Sequence, residues 1–133
     1  MKKKLKISFL GDVITPPFNK LNQFLDFDLE FYHFDIDQVF QTLMQPYEGD
    51  ILIIHLTSDF FFEEMSKEET LNKVDSFCSA INNFSKNQSS LLILNTLDFL
   101  QDNIISIEYF KNINFYSSIN SKIINLAINN SNI

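Results

Sequence analysis

The sequence predicts an α/β fold: a doubly wound, three-layer sandwich whose four-stranded sheet is mainly parallel. Two observations predict it. Strand-like and helix-like segments alternate along the 133 residues, and this alternation builds parallel sheets through right-handed crossovers. The segment DILIIHL also contains a continuously apolar run, from Ile51 to Ile54, as expected of a strand with helices on both faces. A chain of this length corresponds to a single domain, 1–133.

Four segments have the pattern of strands. Residues 4–10 form an apolar run that ends at Gly11, and DFDLEFYHFDID alternates with a period of two. Such alternation is typical of a strand near a sheet edge. The segment 50–56 is the strongest strand and is predicted at the centre of the sheet, and SSLLILNT is predicted as another buried strand.

Helices are predicted between and after these strands. Pro16 and Pro17 open a first helix, and a short helix covers 37–44. Ser66 and Glu69 have the spacing of a capping box that begins a helix over 66–87. A final helix over 117–130 is predicted to face the core through Ile119, Ile123, Leu126 and Ala127.

The last four residues, NSNI, have the pattern of a strand that begins and then stops. A doubly wound fold normally returns to the sheet after such a helix, so we expect a free edge or vacant position in the sheet. We therefore expect the chain to be the N-terminal part of a longer protein, with a weakly held final helix.

Composition excludes several classes of function. A net charge of −7 and a pI of about 4.6 argue against a nucleic-acid partner. The apolar stretch after MKKKLK is too short for a signal peptide or a membrane span. A single cysteine, Cys78, excludes an internal disulfide, fits a cytoplasmic protein and is predicted as a small buried hydrophobe.

Polar residues follow three of the predicted strands, where the carboxyl ends of parallel strands meet at one edge of the sheet. The candidate catalytic residues are Asp12, His55, Ser58 and Asp59. The candidate ligand-binding residues are Gly11, Asp12, Thr57, Asp59 and Asn95.

Each candidate also has a structural alternative. Asp12 can cap its turn, and His55 can be a core residue of its strand. Asp59 can pair with Asp12, which would raise the pKa of one carboxylate, or cap the turn into FFFEE. Asn95 is a candidate oxyanion donor. Asp12, His55 and Asp59 lack a recognised metal-ligand spacing, and neither a metal nor a cofactor is expected.

Three consecutive aromatic residues, Phe60, Phe61 and Phe62, cannot all point into one core. An exposed aromatic cluster indicates a contact surface for a partner. The alternative is a segment that folds over a neighbouring helix.

Two motifs resemble the GDSL/SGNH hydrolases. LGDV matches their Gly-Asp-Ser block, although Val13 replaces the serine nucleophile, and DILIIHLTSDF is similar in shape to their Gly-x-Asn-Asp block. Their closing Asp-x-x-His block is missing. The chain is more similar to the N-terminal SGNH-like domain of FkbH-like proteins, in which a haloacid-dehalogenase-type (HAD) domain of subfamily IIIC follows. KISFLGDVITPPF, DILIIHLTSDFFFEE and the spacing of SINSKIINLAINNSNI carry this resemblance.

The resemblance implies a non-hydrolytic binding or docking head, with a degenerate active site, of an FkbH-like biosynthetic enzyme. Its partners would be a downstream HAD-type domain or an acyl carrier protein, in carrier-protein loading or surface-polysaccharide assembly. Two alternatives stay open. One is a small esterase or acyltransferase with a non-standard site, and the other is a stand-alone interaction module with a flavodoxin-like fold.

Overall fold

A computed structural model describes residues 3–12, 26–35, 37–62, 65–97 and 107–133. The strands are β1 (Lys3–Gly11), β2 (Phe27–His33), β3 (Ile51–His55) and β4 (Leu91–Leu94). The helices are α1 (Val39–Leu43), α2 (Asp59–Phe62), α3 (Lys67–Lys86) and α4 (Ile107–Asn129). The helix predicted from Pro16 lies outside the described residues. No helix within these ranges is long and apolar enough to span a bilayer.

The four strands form one sheet in the order β2-β1-β3-β4, and every neighbouring pair is parallel. This confirms the predicted α/β fold. β3 lies between β1 and β4, which confirms the central position predicted for 50–56, and β2 lies at an edge as its alternating pattern predicted. Because β1 and β3 are neighbours, Gly11 and His55 pair at the ends of these strands.

The capping box at the start of α3 is confirmed. The Ser66 backbone N–H donates to Glu69 Oε2 at 2.8 Å, and the Glu69 N–H donates to Ser66 Oγ at 3.3 Å. The start of α4 differs from the prediction, because the helix begins at Ile107 instead of residue 117. Its first turns are rich in isoleucine, asparagine and aromatic residues, which are weaker helix formers than leucine or alanine, so their pattern did not predict a helix.

One face of the sheet packs against α1, α3 and α4. The buried core contains residues from the sheet and from all three helices. They are Leu10, Leu52, Ile54 and Leu92 of the strands, Val39 and Leu43 of α1, Val74, Phe77, Ile81 and Phe84 of α3, and Ile119 and Ile123 of α4. Ala127 is exposed, so its predicted inward position is wrong. It lies in the last turns of α4 and lines an apolar groove beside β4.

The burial of β4 alternates. Leu92 is buried, whereas Leu91 and Ile93 on the opposite face are 45% and 44% exposed. The prediction of a strand buried on both faces is therefore wrong for β4, although β3 is more covered, with Ile51 and Ile53 half-buried. The difference follows from position, since β4 is the last strand of the sheet.

The C-terminal turn is fastened to the end of α3 and to β4. The Asn132 carbonyl accepts from the Leu92 N–H at 2.7 Å, and Ser85 Oγ donates to Asn130 Oδ1 at 2.8 Å. The Asn132 side-chain amide also donates to three backbone carbonyls at 3.2 Å, those of Ser85, Gln88 and Ser90. These bonds anchor the turn that follows α4, and the expectation of a weakly held final helix stays a prediction.

Candidate functional site

The turn after β1 brings two backbones unusually close. A Cβ on Gly11 would lie 2.1 Å from the carbonyl oxygen of His55, its partner on β3. Backbone atoms cannot move away as a flexible side chain would, so only glycine fits at this position. Gly11 therefore lets β1 end against β3 and places Asp12 directly beside the residues that follow His55.

Asp12 forms a clamp between the ends of β1 and β3. Its Oδ1 accepts the Thr57 backbone N–H at 2.9 Å, and its Oδ2 accepts the Thr57 hydroxyl. Both residues are half-buried. A carboxylate that accepts two hydrogen bonds from one residue fixes the direction in which the chain leaves β3. We call this pair the Asp12–Thr57 clamp.

Asn95 forms a second clamp, between the ends of β3 and β4. Its Oδ1 accepts the Leu56 N–H at 2.9 Å, and its Nδ2 donates to the Leu56 carbonyl at 2.8 Å and to the Thr96 carbonyl at 3.0 Å. The Asn95 side chain thus takes the place of the backbone hydrogen bonds that would continue the pairing of β3 and β4 beyond Ile54 and Leu94. Both hydrogens of the Asn95 amide are engaged within the fold, and its role as an oxyanion donor stays a prediction.

Asn120 was not among the predicted site residues, yet it forms the same arrangement. Its side chain accepts from the Leu97 N–H at 2.8 Å and donates to the Leu97 carbonyl at 2.9 Å. This bond ties α4 to the segment that leaves β4. Its position beside the core residue Ile119 places it at the margin of the apolar stripe, where water can also satisfy an amide, so no signal in the sequence specified this bond.

The other three catalytic candidates lie nearby without joining this network. His55 and Asp59 are exposed, and Ser58 is half-buried. The Ser58 carbonyl accepts the N–H groups of Phe61 and Phe62 at 3.0 and 3.1 Å, which begins α2. Among the described residues, no hydrogen bond joins the side chains of these three candidates to Asp12. Of the two alternatives for Asp59, the structure places its side chain in the first turn of α2.

The three phenylalanines of α2 lie over neighbouring aromatic residues. Phe61 is fully buried, and its ring makes an edge contact with Phe77 at 5.5 Å between centroids. Phe60 stacks on Phe40 at 6.1 Å, and Phe62 contacts Phe115 at 6.0 Å. Phe61 belongs to the core, and the half-buried Phe60 and Phe62 pack against the same core, so the prediction that the three cannot all face one core is wrong. A contact surface that includes the exposed parts of Phe60 and Phe62 stays a prediction.

Within the ranges that the structure describes, no three His, Cys, Asp or Glu side chains are grouped closely enough to hold a metal ion. Cys78 is half-buried on α3. Burial, with a smaller contribution from the charge of Asp75, raises the pKa of its thiol above the ordinary value of 9.0. A raised pKa leaves less of the reactive thiolate at neutral pH.

Comparison with known proteins gives one informative match. No protein-family model matches the chain, and no curated protein matches it. A solved structure does: the N-terminal part of the protein BF1531 from Bacteroides fragilis, described as containing a phosphatase domain and complexed with Mg. The TM-score is 0.78 at 16% sequence identity, over 98% of this chain. Our chain spans 39% of that chain's length. At this identity the similarity shows a shared fold and no more.

Proposed function

We propose that this chain is the non-hydrolytic head domain of an FkbH-like biosynthetic enzyme and that it docks onto a HAD-type domain further along the same polypeptide. The observation that carries the proposal is the fold match with the N-terminal part of a protein that contains a phosphatase domain. Nearly the whole of this chain takes part in that match, and the sequence motifs independently resemble the same arrangement of domains.

The chemistry at the carboxyl ends of the strands supports a docking role over hydrolysis. In the resemblance to SGNH hydrolases, Val13 stands where the serine nucleophile would be, and a valine has no nucleophilic atom. Both oxygens of Asp12 are engaged by Thr57. Ser58 has no hydrogen bond to His55 in the described residues, so it lacks the activated base that a serine nucleophile needs.

The docking surface that we propose includes the exposed end of the sheet at His55 and Asp59. A chain of net charge −7 favours a partner surface with basic residues and disfavours one with many carboxylates. The role in carrier-protein loading or surface-polysaccharide assembly belongs to the same proposal.

The first test is the reading frame of the parent gene past the codon for Ile133. We expect a HAD Asp-x-Asp signature within about one hundred residues, the length of one domain. If the frame lacks that signature, the proposal is wrong. Where the signature is present, the separately expressed downstream domain is titrated into the ¹⁵N-labelled chain, and we expect amide shifts at His55, Ser58 and Asp59.

Charge-reversal variants make the binding test specific. Asp59→Lys should weaken binding by about tenfold, since a reversed charge at a rim costs on the order of 1 kcal/mol. Glu48→Lys is the matched control, because Glu48 is also exposed but lies before β3, at the opposite end of the strands. Equal effects of both variants would show that the carboxyl ends of the strands are not the docking surface.

A hydrolysis assay separates this proposal from the esterase alternative. We expect no turnover of p-nitrophenyl acetate above the buffer rate. Turnover that is lost in Ser58→Ala would contradict the proposal and establish Ser58 as a nucleophile.

A further inference from the structure

The outer edge of β4 already carries the first bond of another strand. The Leu92 N–H points away from β3 and donates to the Asn132 carbonyl at 2.7 Å, whereas the Leu91 N–H points towards β3 and donates to the Asp50 carbonyl at 2.9 Å. Because backbone groups alternate along a strand, the N–H of Leu94 also points to the outer edge. In the described part of the chain it donates no hydrogen bond.

This bond fixes the direction and register of a further strand. In a parallel ladder, a residue bonds to the residues just before and just after its partner. Since Leu92 donates to Asn132, its partner is Ile133. Ile133 packs against the hydrophobic core, on the same face as the buried Leu92. A residue placed directly after Ile133 would then meet the Leu92 carbonyl and the Leu94 N–H, neither of which has a hydrogen bond to another described residue.

The same edge borders an apolar groove of about 340 Å³. Side chains of β4, α4 and the C-terminus line it, among them Leu91, Ile93, Ile124 and Ile133. Leu91, Ile93 and Ile124 are 45%, 44% and 48% exposed. An open strand edge flanked by exposed apolar side chains is prone to pair with another strand, so proteins normally cover such an edge.

We propose that a fifth parallel strand fills this groove and that it is formed by polypeptide that continues the parent protein from Ile133. The sheet order then becomes β2-β1-β3-β4-β5. This inference rests on the proposed function in one respect, since both require a longer parent protein. The parallel register selects the occupant: a second copy related by a twofold axis would pair β4 with β4 in the antiparallel direction and would displace Asn132.

Two measurements test the fifth strand. The parent sequence past Ile133 should continue at once with about four to six residues that are mostly apolar, the length of an ordinary strand. Amide exchange of Leu94 should then be fast in the 133-residue chain and slow in a chain that includes that segment. The Leu91 N–H, already bonded to Asp50, serves as the internal control and should be protected in both chains.

A pair of variants tests whether the C-terminal turn, held by Asn132, protects the outer edge of β4 at Leu92. Asn132→Ala removes the side-chain bonds that hold the C-terminal turn, so it should speed exchange at Leu92 in the 133-residue chain. Asn125→Ala, at an exposed position of α4, should leave exchange at Leu92 unchanged.

Several outcomes would overturn the fifth strand. These are a polar or glycine-rich continuation, unchanged Leu94 exchange in the longer chain, or a dimer of the 133-residue chain that protects Leu94 by itself. The proposed function fails separately. An apolar strand without a later Asp-x-Asp signature supports the fifth strand and refutes the HAD-linked head. A polar continuation that is followed by an Asp-x-Asp signature refutes the fifth strand alone. A parent protein that ends at Ile133 refutes both proposals.

Discussion

Replacing Thr57 by valine tests whether the Asp12–Thr57 clamp holds the fold together. The substitution keeps the shape of the side chain and the backbone N–H bond to Asp12 Oδ1, but it removes the hydroxyl bond to Oδ2. A hydrogen bond to a charged group is worth about 1.5–3 kcal/mol. Because both residues are half-buried, water can replace part of that bond. We therefore expect a loss of about 1 kcal/mol in the free energy of unfolding.

Asp12 variants extend the series. Asp12→Ala removes both bonds and should cost about 2 kcal/mol. Asp12→Asn can keep both, since its amide oxygen can accept the Thr57 N–H while its NH₂ donates to the hydroxyl, so it should cost less than alanine. The matched control is Thr96→Val, because Thr96 is exposed at the end of β4 and its substitution should stay within about 0.5 kcal/mol of zero.

Urea denaturation followed by circular dichroism measures the series. With a slope of about 2 kcal/mol per molar urea, the Thr57→Val midpoint should fall by about 0.5 M at an unchanged slope. Equal midpoints for Thr57→Val and Thr96→Val would refute the clamp. A rise in stability for Asp12→Ala would refute it more strongly, because residues kept for a functional site often cost the fold stability.

Two further predictions concern α3. Thr70 is 1% exposed, and its hydroxyl is buried without a hydrogen bond in the described part of the chain. We therefore expect Thr70→Val to raise the free energy of unfolding, measured by urea titration, by about 1 kcal/mol. A decrease of that size would contradict this expectation. Hydrogen bonding with Ser66 lowers the pKa of Glu69 below its ordinary 4.5, so the stabilisation from its carboxylate is present above pH 4.5 and lost as the pH falls below it. Melting temperatures of the native chain and Glu69→Gln should therefore differ at neutral pH and converge in acid; a constant difference would be inconsistent with the cap.

The regular elements were predictable because their signals are local. The apolar run of β3, the alternating pattern of β2 and the capping box of Ser66 and Glu69 each depend on residues within a few positions of one another. The early start of α4 and the exposed face of β4 were not predictable in this way. Whether Leu91 and Ile93 are covered depends on which element lies beside the last strand, and the pattern of β4 itself carries no information about that.

The candidate site was predictable in its position but not in its contacts. The rule that loops gather at the carboxyl ends of parallel strands located Asp12, Thr57 and Asn95 at one edge of the sheet. Their partners depend on distances between strands. Asp12 meets Thr57, 45 positions away, and Asn95 meets Leu56, 39 positions away. No pattern along the sequence specifies such a pair, although the need of a half-buried polar group for a partner indicates that one exists.

The two clamps give Gly11 and Asp12 structural roles that need no nucleophile beside them. Gly11 is required by the close approach of the His55 carbonyl, and Asp12 supplies the acceptors that order the chain after β3. Neither the close approach at Gly11 nor the hydrogen bonds of Asp12 involve the side chain of residue 13, so the clamp does not require a serine there. Asn95 performs the equivalent task between β3 and β4. In the docking role that we propose, a sheet end held by its own side chains would present His55 and Asp59 to the partner with little ordering left to be done on binding.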